Sequence, residues 1–547
     1  MTQRWDKATW AVLALAATLL LIGLGSRGLN EPDEGRFAEI GREMAVQSNW
    51  MMPHLGGLPH LQKPPLVYWL TALSLRAFGI NEWAARLPSA LAAFGTIALV
   101  LHLAGLLFGS RVSWRAGLVL LSSSLFFLLA RLITTDMLLT FCITSAITAF
   151  VHYTVRRQAG ALLFFYLALG LGFLTKGPMA FLVPSCAIIP WALAHGRNHP
   201  SPGWRWHGWL GIPLALALGF SWFLVLIHQY PQLLDYYVRY EFIDRIATNV
   251  HKRSEPFWFY TAMLTGGLLP WTVLVPRLLC DTWHRVRRHR SPAFWLFAGW
   301  ILLPLGILHL VTSKLPTYLL PLLPPLAVVI AHGWNTSPTL GHRALRVLTL
   351  LLGVAAGAIL ILLALGPVYR TTTLTLSPAL GIGLALIATG WLALVALTRN
   401  DASTTRLMTG AALMMTVSML FLSSLADRLL HGGNASMRSI AEAVRVEEAA
   451  RGPATVFSCN IQAYGLDFYL QRLIHRTVPQ ANHVLPMPPE AAALIVDDPA
   501  GFLAQTSTNH VLVLVKASRF AKDSLFSGWQ MMAQSGSMVL VRRRSGP

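Results

Sequence analysis

What limits this chain most is a succession of apolar runs, most of them about 20 residues long, the length a helix needs to cross the hydrocarbon of a bilayer. They begin near Trp10, Ala90, Ala116, Met137, Ala161, Met179, Trp209, Phe259, Ala293, Tyr318, Val347, Leu380 and Met408. The expected count is about 13 spans. The residues are 54% hydrophobic and 12% charged, where soluble domains carry about 25% charged. The fold class expected is therefore mainly α, a polytopic membrane protein. A further apolar piece, "LVYWLTALSLRAFG", is interrupted by Arg76 and reads as an interfacial helix rather than a span.

Charge sets the expected orientation. Lys and Arg number 43 against 23 acids, a net +20. Such an excess can signal nucleic acid, but here it gathers in alternate connections, among them "GSRVSWR", "VRRQAG", "HGRNHPSPGWRWHG" and "DTWHRVRRHR". Basic connections stay on the cytoplasmic side, so no nucleic-acid partner is expected. An odd number of spans then leaves the N-terminus inside and the C-terminus outside. The outer side receives residues 27–83, the Arg131–Asp136 corner, "TKGP", residues 230–258, "SKLP" and the tail. The first apolar run is long and lacks a clear A-x-A cleavage site, so it reads as a retained span rather than a signal peptide.

Residues 1–425 thus read as a membrane domain with a first outer loop at 27–89, and residues 426–547 as a small α/β domain outside the membrane. In the tail, "ATVFSCN", "AALIVDD" and "HVLVLVKA" are short β-type runs, and "IQAYGLDFYLQRL" is an amphipathic helix. The strands are apolar enough to be buried on both faces, which suits a parallel sheet. Neither a phosphate-binding GxxxxGK[ST] nor an HExxH metal motif occurs. Energy for a reaction outside must therefore reside in an activated substrate. Cys142, Cys186, Cys280 and Cys459 form no CxxC pair, and predict neither a disulfide framework nor a metal site.

The informative residues are charges on the expected outer side. They are Lys63 in "HLQKPPLVYW", Arg131 in "LARLITTDML", Lys176 in "FLTKGP", Arg245 in "YEFIDRIATNVHKR" and Lys314 in "TSKLPTYLLP", with Asp33, Glu34 and Asp136. An ionised side chain at membrane depth costs about 2.5–3.5 kcal/mol on insertion scales and is a functional candidate by default. Cations gathered at one interface suit an anionic ligand such as a lipid phosphate. Each residue also has a plainer reading. Lys63 can anchor an interfacial helix by snorkelling. Arg131 and Asp136 can form a structural ion pair. Asp33 can sit in a helix's first turn behind Pro32. Arg245 can be a solvated loop charge, and Tyr318 an interfacial belt residue. His54, His60, His228 and His251 lack metal-ligand spacing and read as surface histidines.

Taken in order, "NEPDEGRFAEIGREM", "QKPPLVYW", "RLITTDMLL", "LTKGP" and "KLPTYLLPLLPPLA" carry a resemblance over almost the whole chain. It resembles the GT-C membrane glycosyltransferases of the ArnT/PMT group, which includes lipid A aminoarabinose transferases and protein O-mannosyltransferases. The resemblance implies inverting transfer of a sugar from a polyprenyl-phosphate donor, undecaprenyl phosphate in bacteria. The best-matching acceptor is lipid A, at the periplasmic face of the inner membrane. A less negative cell surface and resistance to cationic peptides such as polymyxin would follow. It also implies that Asp33, with Glu34 beside it, supplies the catalytic acid and that Asp136 is a second acidic position. Lys63, Arg245 and Tyr318 would hold the donor phosphate, with Lys314 and Arg131 as further cations. The family commonly has glutamate before this lysine, and a metal has been implicated there. Here the residue is Gln62, a neutral amide and a poor metal ligand, so neither a metal nor another cofactor is expected. One alternative is a protein O-mannosyltransferase using polyprenyl-phosphate-mannose. Another, of a different class, is a lipid-linked sugar transporter or flippase, which predicts repeated halves and broken-helix pairs; the sequence displays neither.

Overall fold

Leucine-, alanine- and phenylalanine-rich runs with few charges satisfy their backbone only by hydrogen-bonding within themselves, and in lipid that means helix. A computed structural model of the chain describes residues 5–196, 204–239, 255–276, 291–336, 338–369, 378–398, 404–429, 436–477, 485–506 and 510–543. Among the described residues eight helices are long and apolar enough to cross a membrane. The count rises to nine if the bent pair α5 (Ser110–Ser122) and α6 (Ser124–Ala130) is one span. Shorter apolar helices are α1 (Lys7–Leu21), α3 (Leu66–Phe78), α8 (Gly160–Lys176) and a helix ending at His195. The run expected from Phe259 forms only a nine-residue helix and a 3-10 turn before the described residues stop at 276.

The bend between α5 and α6, 68°, has a local cause. Ser122, Ser123 and Ser124 follow one another there. The Ser122 and Ser123 hydroxyls donate back to the Leu118 and Val119 carbonyls at 2.6 and 2.7 Å, and Ser124 donates to the Gly266 carbonyl at 2.6 Å. Serine side chains thus occupy backbone acceptors that an interrupted helix leaves open. The bend carries Arg131 to the end of α1, where its guanidinium donates to the Leu19 and Leu20 carbonyls at 2.9 and 3.1 Å. A cation on the last carbonyls of a helix is a favourable cap.

The first loop folds into α2 (Asp33–Gln47), a two-strand hairpin (β1, His54–Leu55; β2, Leu58–Pro59) and α3. The hairpin turns on Gly56 and Gly57, both at positive φ, and their N–H groups donate to the Glu43 carboxylate at 2.5 and 3.0 Å. Helix α3 buries Val67, Tyr68, Thr71, Ala72 and Leu75 and exposes Leu73 and Phe78. That one-sided burial is what an interfacial helix requires.

The tail forms a five-stranded sheet of order β4-β3-β5-β7-β6, with β3 (Thr455–Ser458), β4 (His475–Arg476), β5 (Val511–Lys516), β6 (Trp529–Ser535) and β7 (Met538–Arg543). Strands β4, β3 and β5 are parallel, as the apolar runs suggested, but β6 and β7 form an antiparallel hairpin on the far side. Its half-exposed sequence "WQMMAQS" has too little hydropathy to read as a strand. "AALIVDD" is not a strand: Pro489 starts a short helix through Ala492, and only Ile495 makes a bridge, to Arg476. Alternation in β5 sends Leu512 and Leu514 to one core and Val511, Val513 and Val515 to the other. The first of these cores also contains Phe37, Ile40, Tyr68 and Leu75 of the loop. Loop and tail therefore share a hydrophobic core, joined further by α9 (Arg438–Arg451) and α10 (Tyr464–Leu470). Helices α4 (Glu82–Phe108) and α7 (Thr135–Arg156) belong to the membrane part.

Candidate active site

A chain of side-chain contacts links the segments expected on one side of the membrane. The N-cap Thr134 accepts from the Met137 N–H, starting α7 with Asp136 in its first turn, where the helix dipole favours a carboxylate. Asp136 forms a short ion pair with Lys176 at the end of α8. The side chains are 9% and 14% exposed. The same ammonium lies 4.3 Å from the centroid of the Tyr318 ring, a cation–π contact. Three separate motifs, "RLITTDMLL", "LTKGP" and "KLPTYLLP", thus meet in one cluster of acid, cation and phenol.

Asp33 opens α2 as its first helical residue. It is exposed and accepts from Arg36 at 2.6 Å. In the same loop, just after β2, His60 is pushed down to about 3 by burial and then by the charges of Arg36 and Lys63. It is a half-buried neutral imidazole rather than a surface histidine, and it registers the positive field that Arg36 and Lys63 share. Asp33 and Asp136 are connected through Glu34, whose carboxylate accepts the Ile133 N–H at 3.3 Å, three residues before Asp136. Each helix start that presents an acid is therefore fastened to the other.

Several expected site residues have other partners. Glu34 is buried and accepts from Arg86 Nε at 2.8 Å and from Arg27 at 3.0 Å. Burial pushes its acid up, but Arg86 and then Arg27 outweigh this and hold it down at about 2. It is a buried brace, ionised at neutral pH. Arg131 does not pair with Asp136; it caps α1. Lys314 is 6% exposed and donates to the Glu255 and Pro256 carbonyls at 3.1 Å each, fastening the chain that leads into the Phe259 helix. Arg245 lies outside the described residues, as do His251 and Cys280. Cys142, Cys186 and Cys459 are free thiols.

Gln62 is exposed, and among the described residues no three His, Cys, Asp or Glu side chains converge in a way that would hold an ion. Lys176 was visible in the sequence as an out-of-place cation, but only the fold reveals that it joins Asp136 to Tyr318. Arg36 carried no signal beyond the (i, i+3) spacing to Asp33.

A family model described as dolichyl-phosphate-mannose-protein mannosyltransferase matches residues 62–226. The undecaprenyl phosphate-alpha-4-amino-4-deoxy-L-arabinose arabinosyl transferase of Serratia proteamaculans is 32% identical over 410 residues, covering 72% of this chain and 73% of the relative. The protein of the same name from Edwardsiella ictaluri is 34% identical over 372 residues, and that alignment spans 66% of its own length. The crystal structure of ArnT from Cupriavidus metallidurans bound to undecaprenyl phosphate shares the fold, with a TM-score of 0.78 at 22% identity over 99% of this chain and 100% of that one. By its identity to the Serratia protein across most of both chains, this polypeptide belongs to the undecaprenyl phosphate-alpha-4-amino-4-deoxy-L-arabinose arabinosyl transferase family of GT-C membrane glycosyltransferases.

Proposed function

We propose that the chain is an inverting glycosyltransferase that moves a sugar, 4-amino-4-deoxy-L-arabinose in the best reading, from undecaprenyl phosphate to lipid A. The observation that carries this is the Asp136–Lys176–Tyr318 cluster, fastened through Glu34 and Ile133 to the loop that presents Asp33. In this reading the membrane domain is 1–425 with about 13 spans and the α/β unit is 426–547. The N-terminus is cytoplasmic, and the site faces the periplasm of the inner membrane.

The bond from the anomeric carbon to the donor phosphate oxygen breaks, and its electron pair leaves with undecaprenyl phosphate. A new bond forms from an acceptor oxygen to the opposite face of that carbon. Negative charge therefore grows on the phosphate while the sugar gains oxocarbenium character. Lys63, Lys176, Arg245 and the Tyr318 hydroxyl are suited to the phosphate, each well-placed donor being worth on the order of 3 kcal/mol, or about 10² in rate. Asp33 stands at the sugar's other face, taking the acceptor's proton where the acceptor is a hydroxyl. A lipid A phosphate is already nucleophilic, and there the same carboxylate orients it and balances charge. Arg131 and Lys314 support the site by holding backbone, and no step is routed through a metal.

Mass spectrometry of lipid A from cells with the wild-type chain, Asp33→Asn or no chain tests this. A pentose-amine addition that needs Asp33 is the expected result. Hexoses on exported peptides instead would favour the O-mannosyltransferase reading, and full activity of Asp33→Asn would remove Asp33 from the mechanism. Lys63→Ala should chiefly raise the donor concentration needed.

A further inference from the structure

Among the contacts between the tail and the loop that bears Asp33, one side chain sits next to Asp33 itself. Glu31, two positions before Asp33, accepts a hydrogen bond from the Gly465 N–H at 2.6 Å, at the start of α10. Its carboxyl is wedged between two helix starts. A Cβ on Gly35 would lie 2.5 Å from Oε1, and one on Gly465 would lie 2.2 Å from the same atom. Real Cβ contacts are essentially never so short, so a side chain at either position would push the Glu31 carboxyl out of its place. Glu31 is 3% exposed, and its Oε2 has no hydrogen-bond partner among the described residues. The same helix grips the loop again where the Tyr469 hydroxyl accepts the Leu29 N–H at 2.8 Å. Asp33 thus projects from a backbone held by Glu31 toward the tail and by Glu34 toward the membrane helices.

We propose that Glu31 is a positioning residue for sugar transfer: through its bond to Gly465, the α/β unit fixes the backbone that aims Asp33. The proposal rests on the reading of Asp33 as the catalytic carboxylate. Burial pushes the Glu31 acid up to about 8, against the Gly465 hydrogen bond and aided by Asp467. At neutral pH it is thus an uncharged acid, which glutamine imitates in shape and in its acceptor oxygen. Alanine leaves the Gly465 N–H buried and unmet. Misplacing a catalytic group by about 1 Å can cost about 10²-fold in rate without touching the substrate.

The experiment uses the full-length purified chain in lipid nanodiscs, with undecaprenyl-phosphate-linked sugar as donor and lipid A as acceptor. Glu31→Ala should lower kcat by about tenfold or more while leaving the donor KM within about twofold, because no donor-holding group has moved. Glu31→Gln should restore kcat to within about threefold of wild type. Gly465→Ala pushes on the same contact from the other side and should follow Glu31→Ala; it carries the test alone if Glu31→Ala does not fold. Wild-type kcat in Glu31→Ala and Gly465→Ala, or a Glu31→Gln variant as slow as Glu31→Ala, overturns the proposal. So does a loss that merely tracks the folded fraction. Asp33→Asn run in parallel separates the two readings. If it is inactive while Glu31→Ala is fully active, only the positioning role fails; if it is active, the assignment of Asp33 fails first.

Discussion

Replacing Glu34 by glutamine should unfold the site rather than merely silence it. The carboxylate accepts from Arg86 Nε at 2.8 Å, Arg86 Nη2 at 3.0 Å, Arg27 at 3.0 Å and the Asn30 N–H at 3.1 Å. Its side chain is 4% exposed and that of Arg86 is 1% exposed. The displacement from 4.5 to about 2, at about 1.4 kcal/mol per unit, corresponds to roughly 3 kcal/mol of stability at neutral pH. Breaking a buried pair by removing one partner costs about 3–5 kcal/mol by independent experience. Both routes give the same size because both count an arginine left in a dry site without its anion. Asp33→Asn is the control. Its pair with Arg36 leaves the acid 65% exposed, and such surface pairs are worth about 0–1 kcal/mol. Unfolding in one detergent, followed by tryptophan fluorescence, should therefore show Glu34→Gln weakened by about 3 kcal/mol and Asp33→Asn unchanged. A Glu34→Gln protein with wild-type stability and no transfer would refute the bracing role and put this carboxylate on the substrate.

Lys176→Met removes the cation from both Asp136 and the Tyr318 ring, and should lower steady-state transfer by about 10²-fold, with Lys176→Arg restoring part of it. Arg131→Met leaves the Leu19 and Leu20 carbonyls unmet; it should cost about 1–3 kcal/mol in thermal unfolding while transfer per folded molecule holds. Two acids should give opposite pH trends in melting. Glu34, depressed in the fold, contributes stability that is present above about pH 4.5 and lost as pH falls toward its folded value of about 2. Glu31, raised to about 8, should be destabilising progressively as pH climbs from about 4.5, at up to about 1.4 kcal/mol per unit, and Glu31→Gln should abolish that part of the slope.

Which segments gather at one end of the helices was legible because alternation needs only a count of spans and a tally of basic loops. The loop at 27–83, the Arg131–Asp136 corner, "TKGP" and "KLPTY" do meet, through Glu34–Ile133, Asp136–Lys176 and Lys176–Tyr318. Which charge pairs with which was not legible. Arg131 and Asp136 are five apart and look like partners, yet the serine-induced bend turns Arg131 toward the end of α1. Strands β3 and β5 announced themselves by apolar runs buried on both faces, whereas the β6–β7 hairpin depends on neighbours that composition cannot display.

The acidic loop contains a rule that reconciles its structural and chemical charges. At a helix start, residues three apart share a face while adjacent ones diverge by about 100°. Glu31 lies in the turn before α2 and Glu34 in its first turn, and both are buried, against Gly465 and Arg86. Asp33 and Arg36, both within α2, are such a pair; their ion pair faces outward, with side chains 65% and 30% exposed. Treating Asp33 and Glu34 as an acidic pair with one task overlooked this divergence. The two buried carboxyls are tied to donors from the tail and from the membrane helices. The outward face is thereby held at a set angle and keeps a carboxylate available for chemistry. On this account Glu31→Ala and Glu34→Gln differ in kind from Asp33→Asn. The first two loosen the mount from opposite sides, and the third removes the acting group from an intact mount.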